Sequence, residues 1–162
     1  MTLPDFRMAI HVTAAGRALR HFPKPRPSNA HAKRGLTYER RVGRELERHV
    51  ANGRFDQLEH NPWFTFSDTF GTSNCSPDFL LHTAAGIIIV EVKLTWVEVA
   101  LAKLSDLYCP VVSAALGSPV LPLVICRNIT GAAPQAKMTL KDAINAEAKL
   151  LHWPMTGHIL WQ

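Results

Sequence analysis

Two apolar runs joined by three small residues constrain the fold of this chain more than any other part of its sequence. The runs are residues 78–83 and 87–94, and Ala84, Ala85 and Gly86 separate them. Their length and apolar character predict two strands, and the short connection predicts that the strands pair as an antiparallel hairpin.

The segments around this hairpin predict a mixed α/β domain. Apolar residues recur at three- and four-residue steps in Gly35–Asn52, which predicts a helix that ends at Asn52–Gly53. The other predicted elements are, in chain order, a short helix at 8–19, strand-like residues 58–66, a loop at 67–77, a helix at 96–108, a strand at 119–126, a helix at 139–151 and a short strand at 158–161. This order predicts a central mixed β-sheet flanked by helices.

The positive charge is concentrated at the N-terminus of this 162-residue chain. Residues 1–34 carry seven Lys or Arg and one Asp, a net +6, whereas residues 35–162 carry 11 basic and 12 acidic residues, a net −1. Prolines at 23, 25 and 27 also indicate an extended segment. We therefore divide the chain into a basic N-terminal arm, residues 1–34, and a single folded domain, residues 35–162. Such an arm either contacts phosphates or an acidic surface, or is a solvated tail.

Several classes of protein are disfavoured by the sequence. Three cysteines without CxxC spacing argue against a disulfide framework and a cysteine zinc site. The most apolar stretch, Val111–Cys126, is short for a bilayer and contains Pro119 and Pro122, and the N-terminus lacks the continuous apolar run of a signal peptide. No phosphate-binding glycine loop or dinucleotide fingerprint is present. The prediction is a cytoplasmic protein with no membrane segment and no organic cofactor.

The hairpin also carries the residues with the clearest chemical signal. Glu91 and Lys93 interrupt the aliphatic second run, and they share a face because side chains alternate along a strand. A loop of even length brings Asp78 onto that face, opposite Glu91 for a turn at Ala84–Ala85 or opposite Lys93 for a turn at Ala85–Gly86. An odd loop or a bulge would separate them. Two carboxylates beside a lysine suit Mg²⁺, and the alternative is a Glu–Lys pair on a solvated edge strand.

A further carboxylate lies in the predicted upstream helix. Glu39 is in the middle of the apolar stripe, three residues from both Leu36 and Val42. A carboxylate directed at a core is costly unless it is paired, hydrogen-bonded or bound to a metal. Glu39 is therefore either a member of the same site or a helix-end residue that is solvated or paired with a nearby arginine.

These residues resemble a known nuclease signature. Pro77–Asp78, twelve intervening residues and Glu91–Val92–Lys93 resemble the PD-(D/E)xK motif of the restriction-endonuclease-like superfamily. The helix with Glu39 is similar to one that supplies a further acidic residue in many members, and the element order over residues 35–126 resembles the common core. The resemblance implies a restriction-endonuclease-like core in which Asp78, Glu91 and the Val92 carbonyl bind Mg²⁺, or Mn²⁺ in its place. It further implies that Lys93 assists the attacking water, and that Glu39 holds the first metal through water or helps to bind a second.

The resemblance also implies a reaction and partners. We expect a DNA endonuclease that hydrolyses phosphodiester bonds with a metal-activated water and that cuts as a homodimer, because two strands need two sites. The alternatives are a Holliday-junction resolvase, a structure-specific nickase, a DNA-binding module that keeps the fold without chemistry, and an α/β interaction protein unrelated to nucleic acid. Candidate contacts to DNA are Lys33, Arg34, Ser73, Asn74 and Lys103.

Overall fold

The predicted hairpin lies at the centre of a five-stranded sheet in the computed structural model, which describes residues 10–21, 23–95, 97–128 and 158–160. In chain order the elements are β1 (Ala14–Arg17), α1 (Ala30–Ala51), β2 (Gln57–His60), β3 (Phe64–Asp68), β4 (Gly71–Cys75), β5 (Phe79–Thr83), β6 (Gly86–Thr95), α2 (Glu98–Lys103), a π-helical turn (Leu104–Tyr108), α3 (Cys109–Leu116), β7 (Val120–Asn128) and β8 (His158–Leu160). The predicted helix at 139–151 lies outside the described residues.

The large sheet has the strand order β2–β5–β6–β7–β8. Strands β2, β5 and β6 pair antiparallel, whereas β6, β7 and β8 pair parallel. The prediction of a mixed sheet in an α/β fold is therefore confirmed. A second, antiparallel sheet of order β1–β3–β4 was not predicted.

The turn between β5 and β6 has the even length on which the site depends. Thr83 pairs with Gly86, so the loop consists of Ala84 and Ala85 alone. The Thr83 hydroxyl oxygen accepts from the N–H groups of both Ala85 and Gly86 at 3.2 Å. Gly86 has φ +151°, and a Cβ there would lie 2.6 Å from the carbonyl oxygen of Pro119, so only glycine fits this position.

Helix α1 covers one face of the large sheet. It begins at Ala30 rather than at the predicted Gly35, because the Asn29 side chain accepts from the Ala32 N–H and caps the helix five residues earlier. It ends at Ala51, immediately before the predicted stop at Asn52–Gly53. The buried residues of its apolar stripe pack on β5, β6 and β7, and they are Tyr38, Val42 and Leu46.

Helices α2 and α3 cover the opposite face as one continuous helical stretch through the π-helical turn. The prediction that the helix ends before Pro110 was wrong, because the backbone shifts to π-helical hydrogen bonding just before this residue, with the Cys109 N–H bound to the Leu104 carbonyl, and continues as α3. Residues Val99–Leu116 are long and apolar enough to cross a membrane, but core helices of soluble proteins meet the same criterion. Here Leu104, Tyr108 and Val111 are buried against the strands. Cytoplasmic localisation stays a prediction.

The small sheet corrects three local predictions. Residues 14–17 form a strand and not part of a helix, and residues 58–66 divide between β2 and β3 in different sheets. The predicted loop at 67–77 contains β4, whose first four residues are exposed and polar or glycine. Cross-strand hydrogen bonds between β3 and β4 side chains, Thr65 to Asn74 and Ser67 with Thr72, compensate for its lack of apolar residues. Residues 14–17 and 30–34 of the predicted arm thus belong to strands and helices of the fold.

Glu59 links the two sheets. Its carboxylate accepts two hydrogen bonds from Arg17 of β1, at 2.7 and 2.8 Å, and lies 2.6 Å from His82 Nε2 of β5. The hydrogen bonds from Arg17 lower the pKa of Glu59 despite its partial burial, and His82 lowers it further.

We expect Glu59→Gln to lower the free energy of unfolding by about 1 kcal/mol at neutral pH, near the upper limit for partly exposed pairs. A carboxyl with a lowered pKa stabilises the fold above its ordinary value of 4.5. That contribution is lost as the pH falls through the lowered pKa. The difference in Tm between the two proteins should be largest at pH 6–8 and vanish at strongly acidic pH. A difference that is constant with pH would contradict the ionic link.

Candidate active site

Asp78 lies directly before β5 and is fixed through both its main chain and its side chain. Its carbonyl oxygen accepts from the Asn61 N–H at 2.8 Å, and Asn61 takes a left-handed conformation with φ +46°. Its Oδ2 accepts from the Val92 N–H of β6, also at 2.8 Å. The residue is 8% exposed. The carboxylate is therefore held in place with one oxygen, Oδ1, left for other partners.

Glu91 lies on β6 beside Asp78. The register pairs Phe79 with Val90, so Asp78, which immediately precedes β5, stands opposite Glu91, as predicted for a turn at Ala84–Ala85. Glu91 is 3% exposed. Its Oε1 lies 3.0 Å from Lys93 Nζ and 3.7 Å from Lys103 Nζ. Its Oε2 is buried without a hydrogen-bond partner.

Glu39 reaches this site from α1 because the helix lies close to the sheet at Gly43, one turn further along. A Cβ on Gly43 would lie 3.1 Å from the ring of Phe79, so a larger residue would push the helix away from the residue that follows Asp78. The Glu39 side chain is 17% exposed, and its Oε1 lies 3.0 Å from the Nζ of Lys24.

Lys24 is the member of this cluster that sequence reasoning missed. Its Nζ lies 2.9 Å from Asp78 Oδ1 as well as 3.0 Å from Glu39 Oε1. It is 15 residues from one partner and 54 from the other, in a proline-containing segment without regular secondary structure. Local sequence patterns contain no signal for such a contact.

Three carboxylates and three lysines therefore form one cluster, and we call them the acid–lysine cluster: Glu39, Asp78, Glu91, Lys24, Lys93 and Lys103. Burial, and then the charge of Asp78, raise the pKa of both Glu39 and Glu91, against the opposing effect of the lysines. Burial alone would lower the pKa of Lys24, but Asp78 and Glu39 outweigh it and raise this pKa. Burial together with the charge of Asp78 thus outweighs the lysines at both Glu39 and Glu91.

The cluster offers the oxygen donors that a hard cation prefers. Within the described ranges, no three His, Cys, Asp or Glu side chains lie close enough together to form a ready metal site. Lysine ammonium groups lie against the carboxylates instead, with Lys24 between two of them. The donor set of Asp78, Glu91 and Glu39 nonetheless fits Mg²⁺, and the unpartnered Oε2 of Glu91 is a free oxygen ligand.

The remaining predicted residues fall into two groups. Val92 and Lys103 lie at the cluster: the Val92 N–H binds Asp78, and Lys103 Nζ lies near Glu91 and 4.9 Å from the centroid of the Tyr108 ring. The others are exposed, on α1 or on β4 of the small sheet, and no described hydrogen bond or ion pair joins them to the cluster: Lys33, Arg34, Ser73 and Asn74.

Exposed cations form a stripe on the solvent-facing side of α1. At about 100° per residue, Lys33, Arg40 and Arg44 fall within a narrow sector of the helix, on the side opposite its buried apolar stripe and roughly 120° around the helix from Glu39. All three are exposed. Sequence reasoning singled out Lys33 but missed Arg40 and Arg44, although their spacing from Lys33 was a usable signal.

No family model, curated protein or solved structure matches this chain. Function therefore has to be inferred from the chemistry of the acid–lysine cluster and its surroundings. The resemblance to PD-(D/E)xK nucleases likewise depends on the motif residues and their arrangement, and not on a matching protein.

Proposed function

We propose that this chain is a Mg²⁺-dependent DNA endonuclease of the restriction-endonuclease-like type. The observation that carries the proposal is the convergence of Asp78, Glu91 and Glu39 with lysines at the open end of the β5–β6 hairpin. Glu91 is 3% exposed and keeps an unpartnered oxygen. Such a group lowers stability, and groups of this kind are concentrated at functional sites.

Asp78, Glu91 and Glu39 are the residues that would hold the metal. Mg²⁺ binds through a few carboxylates and keeps several waters, so it needs few protein oxygens. When bound, it would polarise the phosphodiester and lower the pKa of a water ligand. The raised pKa values of Glu39 and Glu91 support this assignment, since a bound cation would stabilise the charged form that burial and the charge of Asp78 disfavour.

Lys93 is the group best placed to act on the reacting atoms. Its side chain is 36% exposed, so its ammonium can meet a substrate while Glu91 Oε1 orients it at 3.0 Å. An ammonium in this position can hold the attacking water or stabilise negative charge on a phosphate oxygen. Lys103, 44% exposed and near the same carboxylate, would contact a neighbouring phosphate.

The charge on α1 supports DNA as the partner. Lys33, Arg40 and Arg44 give the exposed side of α1 a positive charge, and contacts of such cations with backbone phosphates bind DNA of any sequence. A module that only bound DNA would have no use for carboxylates facing phosphates, which they repel. The clustered acids therefore favour an enzyme over an inactive module of the same fold. We also propose that the protein acts as a homodimer, since cleavage of two strands needs two sites.

The proposal is tested by cleavage of supercoiled plasmid and of a four-way junction with Mg²⁺, with Mn²⁺ and with EDTA. We expect nicking with either metal, none with EDTA, and loss of nicking in Asp78→Asn. The amide keeps an oxygen that can accept from the Val92 N–H, so this variant should still fold. Preference for the junction would indicate a resolvase. Salt-sensitive DNA binding without cleavage of either substrate would contradict an endonuclease that acts alone on these DNAs.

A further inference from the structure

The N-terminal segment places an ammonium group between two carboxylates of the proposed metal site. Lys24 Nζ lies 2.9 Å from Asp78 Oδ1 and 3.0 Å from Glu39 Oε1. Its side chain is still 40% exposed, so the contact is made from the solvent side of the cluster.

An ammonium and a divalent cation cannot share these oxygens. Mg²⁺ binds carboxylate oxygens at about 2.0–2.1 Å, so a metal on Asp78 Oδ1 and Glu39 Oε1 would occupy the space that the Lys24 ammonium fills. The two cations would also repel each other. The other oxygen of Asp78 accepts from the Val92 N–H at 2.8 Å, which fixes the carboxylate with Oδ1 against Lys24.

The segment that carries Lys24 has no regular secondary structure and makes few described polar contacts with its neighbours. Pro23, Pro25 and Pro27 have no N–H to donate, which removes every second donor that a regular strand ladder would use here. Lys24 supplies all the hydrogen bonds and ion pairs described between residues 23–28 and the rest of the described chain. On either side the chain is fixed, by the Ala18 N–H to the Trp63 carbonyl and by the Asn29 cap of α1.

We propose that residues 23–27 form an internal inhibitor, in which the Lys24 ammonium holds the place of a divalent cation between Glu39 and Asp78. Metal binds there when the segment withdraws. Because the two ion pairs must break first, their free energy opposes metal binding and lowers the observed affinity. This inference depends on the proposed metal site and adds a regulatory contact to it.

The inference makes the opposite prediction to a purely structural role for Lys24. If Lys24 only neutralised the carboxylates, its removal would leave metal affinity unchanged, or weaken it by loosening the site. If Lys24 competes with the metal, its removal must strengthen metal binding, because the metal then no longer has to displace an ammonium group from the carboxylates.

The test is a titration of the purified full chain with Mn²⁺, in which the free ion is measured by its electron paramagnetic resonance signal. We expect Lys24→Met to bind Mn²⁺ roughly 5- to 100-fold more tightly than the unchanged protein, the usual range for coupling between two ligands. Arg26→Met is the matched control, since Arg26 is an exposed cation in the same segment without a described partner, and its affinity should not change. Adding Asp78→Asn to Lys24→Met should abolish the gain.

The outcomes separate this inference from the proposed function. Equal or weaker Mn²⁺ binding by Lys24→Met, with clear binding by the unchanged protein, would overturn the inhibitor and leave the metal site standing. No binding by any of the proteins would overturn both. An equal gain in Mn²⁺ affinity in Arg26→Met would mean that the gain comes from the change in net charge, and it would also overturn the inhibitor. Lys24→Gln, checked for folding by circular dichroism, serves as a second variant and should behave as Lys24→Met does.

Discussion

Lys93→Met should cleave DNA more slowly by a factor on the order of 10²–10⁴, the usual contribution of one positioned catalytic group. Methionine keeps the length and the apolar stem of the lysine but removes the ammonium that Glu91 Oε1 orients at 3.0 Å. The fold should persist, because Lys93 is partly exposed and Lys103 remains 3.7 Å from the same carboxylate. The measurement is the single-turnover cleavage rate at saturating Mg²⁺, with DNA affinity measured separately.

The control for this variant is Arg54→Met, which removes one positive charge from an exposed position after the C-terminal end of α1. It should lower neither the single-turnover cleavage rate nor the stability of the fold. A loss in Lys93→Met that appears only in DNA affinity, with an unchanged single-turnover rate, would make Lys93 a binding residue and would contradict its proposed role at the reacting atoms.

The hairpin that holds this lysine could be predicted from sequence because all of its determinants are local. The apolar runs, the turn Ala84–Ala85 and the alternation of side chains together place Asp78, Glu91 and Lys93 on one face, and the observed register agrees. The position of Glu39 in the apolar stripe of α1 was also visible. What brings it to Asp78 is the close packing of Gly43 on Phe79, which requires the three-dimensional fold.

The parts that could not be predicted depend on contacts between distant residues or on exposed polar strands. The β3–β4 hairpin is stabilised by side-chain hydrogen bonds such as Thr65 to Asn74, and polar residues of this kind are also typical of loops. Strand β1 exists because β3 provides a partner for it. Lys24 reaches Asp78 across 54 residues of sequence, and the prolines beside it indicated only an extended segment.

Glu91→Gln should slow cleavage by orders of magnitude without weakening the fold. The carboxylate is 3% exposed with an unpartnered Oε2, and burial followed by repulsion from Asp78 raises its pKa, so its charged form is unfavourable in the folded protein. A neutral amide of the same shape removes that penalty. The ion pairs lost with it involve lysines that are 36% and 44% exposed, and pairs with such lysines contribute little.

We expect the rate to fall on the order of 10²- to 10³-fold or more, while the free energy of unfolding in metal-free buffer at neutral pH stays the same or rises by about 1 kcal/mol, roughly 2–4 °C in Tm. Glu45→Gln is the control, because it changes a carboxylate on α1 that is paired with Arg48, and it should leave the cleavage rate unchanged. A residue kept for structure would give the reverse pattern, a lower Tm with a proportionate loss of activity. Stability gained together with activity lost is the result expected when a buried charge is retained for its chemistry, since the chain then carries a cost in folding that only function explains.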